Sequence, residues 1–285
     1  MSETAVAAEG AANRLTTRLA ARMAEGRKSL VTFVTAGDPE IEATVPLLHA
    51  LVAGGADVLE LGIPFSDPEA EGPAIQEASE RALANGTTLR GCFSMVQQFR
   101  QEDQSTPLLL MGYLNSVLRM GVETFAAEAA AAGVDGLIMV NLPPEEAADV
   151  QPVLKAAGIE LVFLVAPTTT PERRRQIIAH SGGFVYYVSL KGTTGAGHFN
   201  PERVAAEVAT VKGESRLPVM VGFGIRDGAS AAAIARSADG VVVGSALVQT
   251  QADTAQPVAE RRAAAQALTA EIRSALDALP PQPLA

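Results

Sequence analysis

The sequence predicts a (β/α)8 TIM barrel folded as a single domain. Three observations carry this. Short aliphatic and β-branched runs recur eight times, each followed by an alanine-rich stretch with helical spacing. The interval between runs is that of a βαβ unit, and eight regular units without a linker favour a closed barrel. An open doubly wound sheet is the alternative arrangement. The length, 285 residues, suits the ~250 such a barrel typically needs.

Residues 1–12 are small and polar and are expected to form a flexible N-terminus, with the barrel spanning 13–279 and a tail at 280–285. Asn13 is placed to cap an extra N-terminal helix running to about Gly26, with Leu15, Leu19 and Met23 at fourfold spacing. The predicted strands are Ser29–Thr35, Val58–Leu61, Pro107–Met111, Gly136–Val140, Glu160–Val165, Phe184–Ser189, Pro218–Gly222 and Gly240–Val243. A helix from about Ile41 to Val52 follows the first strand. Two segments, near 74–84 and 89–101, follow the second. Later helices are expected near 122–132, 144–157, 171–181, 201–211 and 229–237, and a final one from about Pro257 to Leu279 adds helical material after the eighth strand. Pro144, Pro171 and Pro201 sit where a first helical turn accepts proline.

The formal net charge of −10 argues against a general nucleic-acid or acidic-membrane surface. No stretch approaches ~20 consecutive apolar residues, so no membrane span is expected. The single Cys92 excludes an internal disulfide and a cysteine zinc site, which suits a cytoplasmic protein. His49, His180 and His198 have no metal-ligand spacing, so no metal is expected.

The stretch Asp57–Pro73 (DVLELGIPFSDPEAEGP) concentrates the chemistry. Glu60 lies inside an apolar strand, on the same face as Val58, where an acid is costly unless paired or used. A turn-rich loop with Asp67, Glu69 and Glu71 follows it. A buried acid at a strand's C-terminal end, followed by an acidic loop, is how a (β/α)8 enzyme presents catalytic groups. Glycine clusters follow the last two strands, Gly222-Phe223-Gly224 and Gly244-Ser245, and the loop 191–197 (KGTTGAG) follows the sixth. Together they point to backbone amides that grip a phosphate.

The segments Phe33–Pro39 (FVTAGDP), Glu60–Pro68 (ELGIPFSDP), Met111-Gly112-Tyr113, Gly192–Gly195 (GTTG) and Gly222–Ile225 (GFGI) resemble the tryptophan synthase α subunit family, in order over about residues 13–279. The resemblance implies retro-aldol cleavage of indole-3-glycerol phosphate to indole and glyceraldehyde 3-phosphate. It also implies no cofactor on this chain and a β-subunit partner, in an α2β2 complex, whose pyridoxal phosphate (PLP) joins indole to serine. Glu60 matches the family's catalytic glutamate. Glu71 stands where the family usually has a second catalytic Asp, and Asn141 where another Asp is usual. Loss of that charge at Asn141 is expected to make room for the longer acid. Phe33, Met111, Leu164, Tyr186 and Thr194 match substrate-contacting positions, and Gly195, Gly224, Gly244 and Ser245 the phosphate cradle. Pro64, Asp67 and Pro68 match the loop that meets the β subunit. Two other readings share these residues: a stand-alone indole-glycerol-phosphate lyase, and a catalytically impaired α-like subunit that only activates its partner.

Overall fold

The computed structural model describes residues 13–188, 201–222 and 224–281. Nine parallel strand segments alternate with helices: β1 (Ser29–Thr35), β2 (Val58–Gly62), β3 (Leu108–Gly112), β4 (Gly136–Met139), β5 (Glu160–Val162), β6 (Leu164–Val165), β7 (Val185–Val188), β8 (Val219–Gly222) and β9 (Gly240–Val243). Their order, β5-β4-β3-β2-β1-β9-β8-β7-β6, makes a nearly closed ring. The segments at its two ends, β5 and β6, are one strand interrupted at Phe163, so the fifth predicted strand is found in two pieces. β5 pairs with β4 and β6 with β7. The bend lets one strand serve neighbours that diverge around the cylinder.

Alternation along the strands builds two cores. Val31, Val58, Leu109, Ile138, Val162, Phe184, Met220 and Val242 point inward and fill the barrel. Leu30, Leu59, Leu110, Leu137, Leu161, Val185, Val221 and Val241 point outward against the helices. The extra N-terminal helix, α1 (Arg14–Ala24), drives fully buried Leu15 and Leu19 into the inner core and plugs the barrel's lower end. Asn13 caps α1 by accepting the Leu15 N–H at 2.8 Å, and its amide donates to the carbonyls of Asp135 and Gly158.

A carboxylate recurs at the lower rim, in the triplets 55–57 (GAD), 133–135 (GVD) and 237–239 (SAD). Each Asp precedes one strand and accepts an amide near the start of its neighbour: Asp57 from Leu30, Asp135 from Leu108 and Asp239 from Val219. Each also meets bases from the helical layer: Asp57 meets Arg22 and Arg273, Asp135 meets Arg14 and Arg100, and Asp239 meets Lys212.

The helices depart from expectation at four places. α2 (Thr44–Ala53) begins after a separate 3-10 turn, Ile41–Ala43. The expected helix at 144–157 is a 3-10 turn, Pro144–Asp149, followed by α7 (Gln151–Ala156). Pro152 has no N–H and its ring crowds the preceding turn, so the helix restarts around it. An extra helix, α5 (Leu114–Met120), precedes α6 (Val122–Ala132) and is split from it by Gly121 at φ +90°. After β2 come α3 (Pro73–Ala84) and α4 (Leu89–Glu102). α8 (Pro171–His180), α9 (Pro201–Glu214) and α10 (Gly228–Ala235) follow β6, β7 and β8, and after β9 a helix not expected from the sequence, α11 (Ser245–Ala252), precedes α12 (Val258–Asp277).

Candidate active site

Parity and register bring the inward side chains near the strands' C-terminal ends to one mouth. Phe33 is in register with Glu60, Gly62 with Met111, and Leu164 with Tyr186. Glu60 is 1 % exposed, and its Oε2 has no hydrogen-bond partner among the described residues. Burial, reinforced by the nearby charge of Glu71, pushes its carboxyl pKa up to about 8. A buried polar oxygen left unmatched is costly, so it points to a group that meets substrate.

Glu71 comes from the loop between β2 and α3. Its main chain is fastened there: its N–H donates to Pro68 O at 3.0 Å, and its carbonyl accepts from Gln76 Nε2 at 2.9 Å. Gly72 and Pro73 then start α3, with proline at the first helical position. Burial pushes the Glu71 carboxyl up to about 7. The charges of Glu60 and Glu71, added to burial, hold the Tyr186 hydroxyl well above its ordinary range. The three groups therefore share one low-dielectric space, and the two acids titrate as neighbours.

Two glycines make room for the aromatic walls. A Cβ on Gly62 would lie 2.6 Å from the Phe33 ring, and one on Gly222 would collide with the Tyr186 hydroxyl. Beside Glu71, a narrow cleft is walled by Phe33, Thr35, Glu71, Ile75, Met111 and Tyr113, among others. The chemistry of that lining suits an apolar ring with one polar edge. Leu164 lines a different, larger cleft with Asn141, Phe163 and Arg173. Asn141 bridges the loops after β3 and β4. It accepts the Leu114 N–H at 2.8 Å and donates to Asn115 Oδ1 at 3.2 Å. Its hydrogen bonds thus go to the neighbouring loop, and none goes to Glu71.

Against the Phe33 side of the mouth, Gly244 precedes α11, and Ser245 is that helix's first residue. Gly224 adopts φ +69° with open space where a Cβ would be. Thr194 and Gly195 lie outside the described residues. Of the loop positions, Asp67 is exposed, Pro68 half-buried and Pro64 buried.

Two residues at the mouth escaped the sequence reading. Thr35 is 3 % exposed with an unpartnered Oγ1, and it shares its inward parity with Phe33, a readable signal. The Tyr113 hydroxyl accepts the Ala70 N–H, a contact between separate loops that no local pattern announces.

The family model for the tryptophan synthase alpha chain matches residues 19–277. The tryptophan synthase alpha chain of Alkalilimnicola ehrlichii is 54% identical over 268 residues, 94% of this chain and 97% of that one. That of Thioalkalivibrio sulfidiphilus is 53% identical over 93% of this chain and 100% of its own. The chain belongs to the tryptophan synthase alpha chain family. Solved structures agree. The tryptophan synthase subunit alpha of Legionella pneumophila superposes with a TM-score of 0.88 at 44% identity, covering 94% of this chain and 100% of that one. A tryptophan synthase alpha chain is an indole-3-glycerol-phosphate lyase, and cleavage of that carbon–carbon bond for tryptophan biosynthesis is the activity of this chain.

Proposed function

We propose that Glu60 carries both proton transfers of this retro-aldol cleavage while Glu71 stabilises the charge that develops on the ring. Glu60 enters as the carboxylic acid and protonates C3 of the indole ring. The positive charge that develops at the ring nitrogen is met by the Glu71 carboxylate. Glu60, now ionised, accepts the proton of the glycerol hydroxyl on the carbon next to C3. The O–H electron pair becomes the aldehyde carbonyl, and the C–C pair returns to the ring. Indole and glyceraldehyde 3-phosphate leave, and Glu60 is again an acid. The observation that carries this reading is the buried, unpartnered Glu60 carboxyl, with a pKa of about 8 beside a second raised acid.

Phe33, Met111, Tyr186 and Leu164 supply apolar surface for the substrate, and Thr194 is a further substrate contact. The main-chain amides around Gly195, Gly224, Gly244 and Ser245 bind the phosphate, helped by the N-terminal end of α11. The loop bearing Pro64, Asp67 and Pro68 faces a β subunit in an α2β2 assembly, and pyridoxal phosphate resides on that partner. On this reading the chain works in the cytoplasm.

Indole release measured for wild type and Glu60→Gln, with and without a matched β subunit, tests the reading. Loss of about 10³-fold in kcat is expected from removing a general acid, while activation of the β subunit persists. A Glu60→Gln enzyme as fast as wild type refutes the assignment. Strong stimulation of wild type by β separates the two-component synthase from a stand-alone lyase. Absence of cleavage in both states favours the activator-only reading.

A further inference from the structure

The end of β3 holds the loop that carries Glu71. The Ile63 N–H donates to Met111 O at 2.7 Å. The Phe65 ring stacks on Tyr113 with centroids 4.8 Å apart and planes 18° from parallel. The Ala70 N–H donates to the Tyr113 hydroxyl oxygen at 3.0 Å, one residue before Glu71. Tyr113 itself is only 6 % exposed and walls the same cleft as Glu71. The Glu71 carboxylate accepts no hydrogen bond from any described residue, so its place depends on how its main chain is held.

We infer that Tyr113 is a positioning residue for catalysis, fixing Glu71 against the substrate ring by gripping the loop at Ala70 and Phe65. This rests on the role proposed above for Glu71. A side chain one methylene longer than aspartate has one more rotatable bond, so a rigid backbone anchor matters more for it. The Tyr113 hydroxyl proton is not given to any described residue, and it faces Glu69 and Glu71, whose charges add to burial in raising the phenol to about 12. The phenol therefore stays neutral across the working range and is free to donate toward those carboxylates. Glu71 is faced in turn by Glu60 and Tyr186 from β2 and β7.

The test is a double-mutant cycle on the full chain, following indole release from indole-3-glycerol phosphate by wild type, Tyr113→Phe, Glu71→Gln and the double variant. Tyr113→Phe keeps the ring stack and removes only the oxygen, so it should fold. Faster exchange of the Ala70 amide would report the lost bond. Expected is a fall in kcat of about tenfold with little change in KM, as for a misplaced catalytic group. A displaced acidic limb of the pH profile is expected too, with almost no further loss when Glu71 is already Gln. A Tyr113→Phe enzyme with wild-type kcat, or a loss of the same size in the Glu71→Gln background, overturns the inference while leaving Glu71's role intact. Full activity in Glu71→Gln overturns both.

Discussion

Glu60 and Glu71 show how one strand-loop unit turns two ordinary carboxyls into groups that titrate near neutrality. With pKa values about 7 and about 8, one acid can be ionised while the other holds its proton. Activity should rise as Glu71 ionises and fall as Glu60 loses its proton, giving a narrow bell in kcat/KM whose apparent values belong to the pair. Glu71→Gln should remove the rising limb and cost at least about 100-fold in kcat. Exposed Glu69, changed to Gln, should cost far less, and equal small losses would remove Glu71 from the mechanism. Stability carries the same signature. The folded pKa of Glu60 lies above its unfolded value of 4.5, so its burial weakens the fold progressively as pH rises from the unfolded value towards about 8. Glu60→Gln should therefore melt about 5 °C above wild type near pH 9 and converge with it near pH 4. Thermal unfolding at a series of pH values would check this.

At the scale of elements, the rim aspartates do more than neutralise arginines. Asp135 satisfies the first amide of β3 and pairs with Arg100, itself nearly buried, so it joins two strands to the helical layer. Asp135→Ala would strand that guanidinium and leave the Leu108 N–H unmatched, at about 3 kcal/mol. The exposed pair Arg90–Glu128 is the contrast, because solvent screens it and its loss should barely move the melting temperature. Urea unfolding of the two variants would distinguish them. Element boundaries were legible where chemistry is local, as with Asn13 and Pro171 at helix starts. They were less legible at α5, a short helix not expected from the sequence, which forms with Val117 fully buried in the outer core.

Across the whole molecule, the barrel needs its ends closed as much as its wall. The upper layer gives up aliphatic packing to Glu60, Tyr186 and a cleft, so rigidity has to come from below. There α1 inserts Leu15 and Leu19 under the inward layer of Val31, Val58 and Val242. Leu15→Ala should cost about 3 kcal/mol, read as a lower denaturation midpoint with kcat preserved at assay temperature. If kcat fell in parallel with stability, the lower plug would be coupled to the mouth.

Periodicity in the chain determined the repeating strand-helix plan and the inward parity of Phe33, Glu60 and Tyr186, while the motif around Glu60 carried the family resemblance. Those features depend on near neighbours in sequence, where strand alternation and proline geometry act. Tertiary structure alone decided that β5 and β6 part at Phe163 to complete the ring, that Asn141 ties two loops together, and that Tyr113 holds the amide beside Glu71. Each of these joins residues more than twenty positions apart, and such contacts exist only once the cylinder has curved to bring its strand ends together.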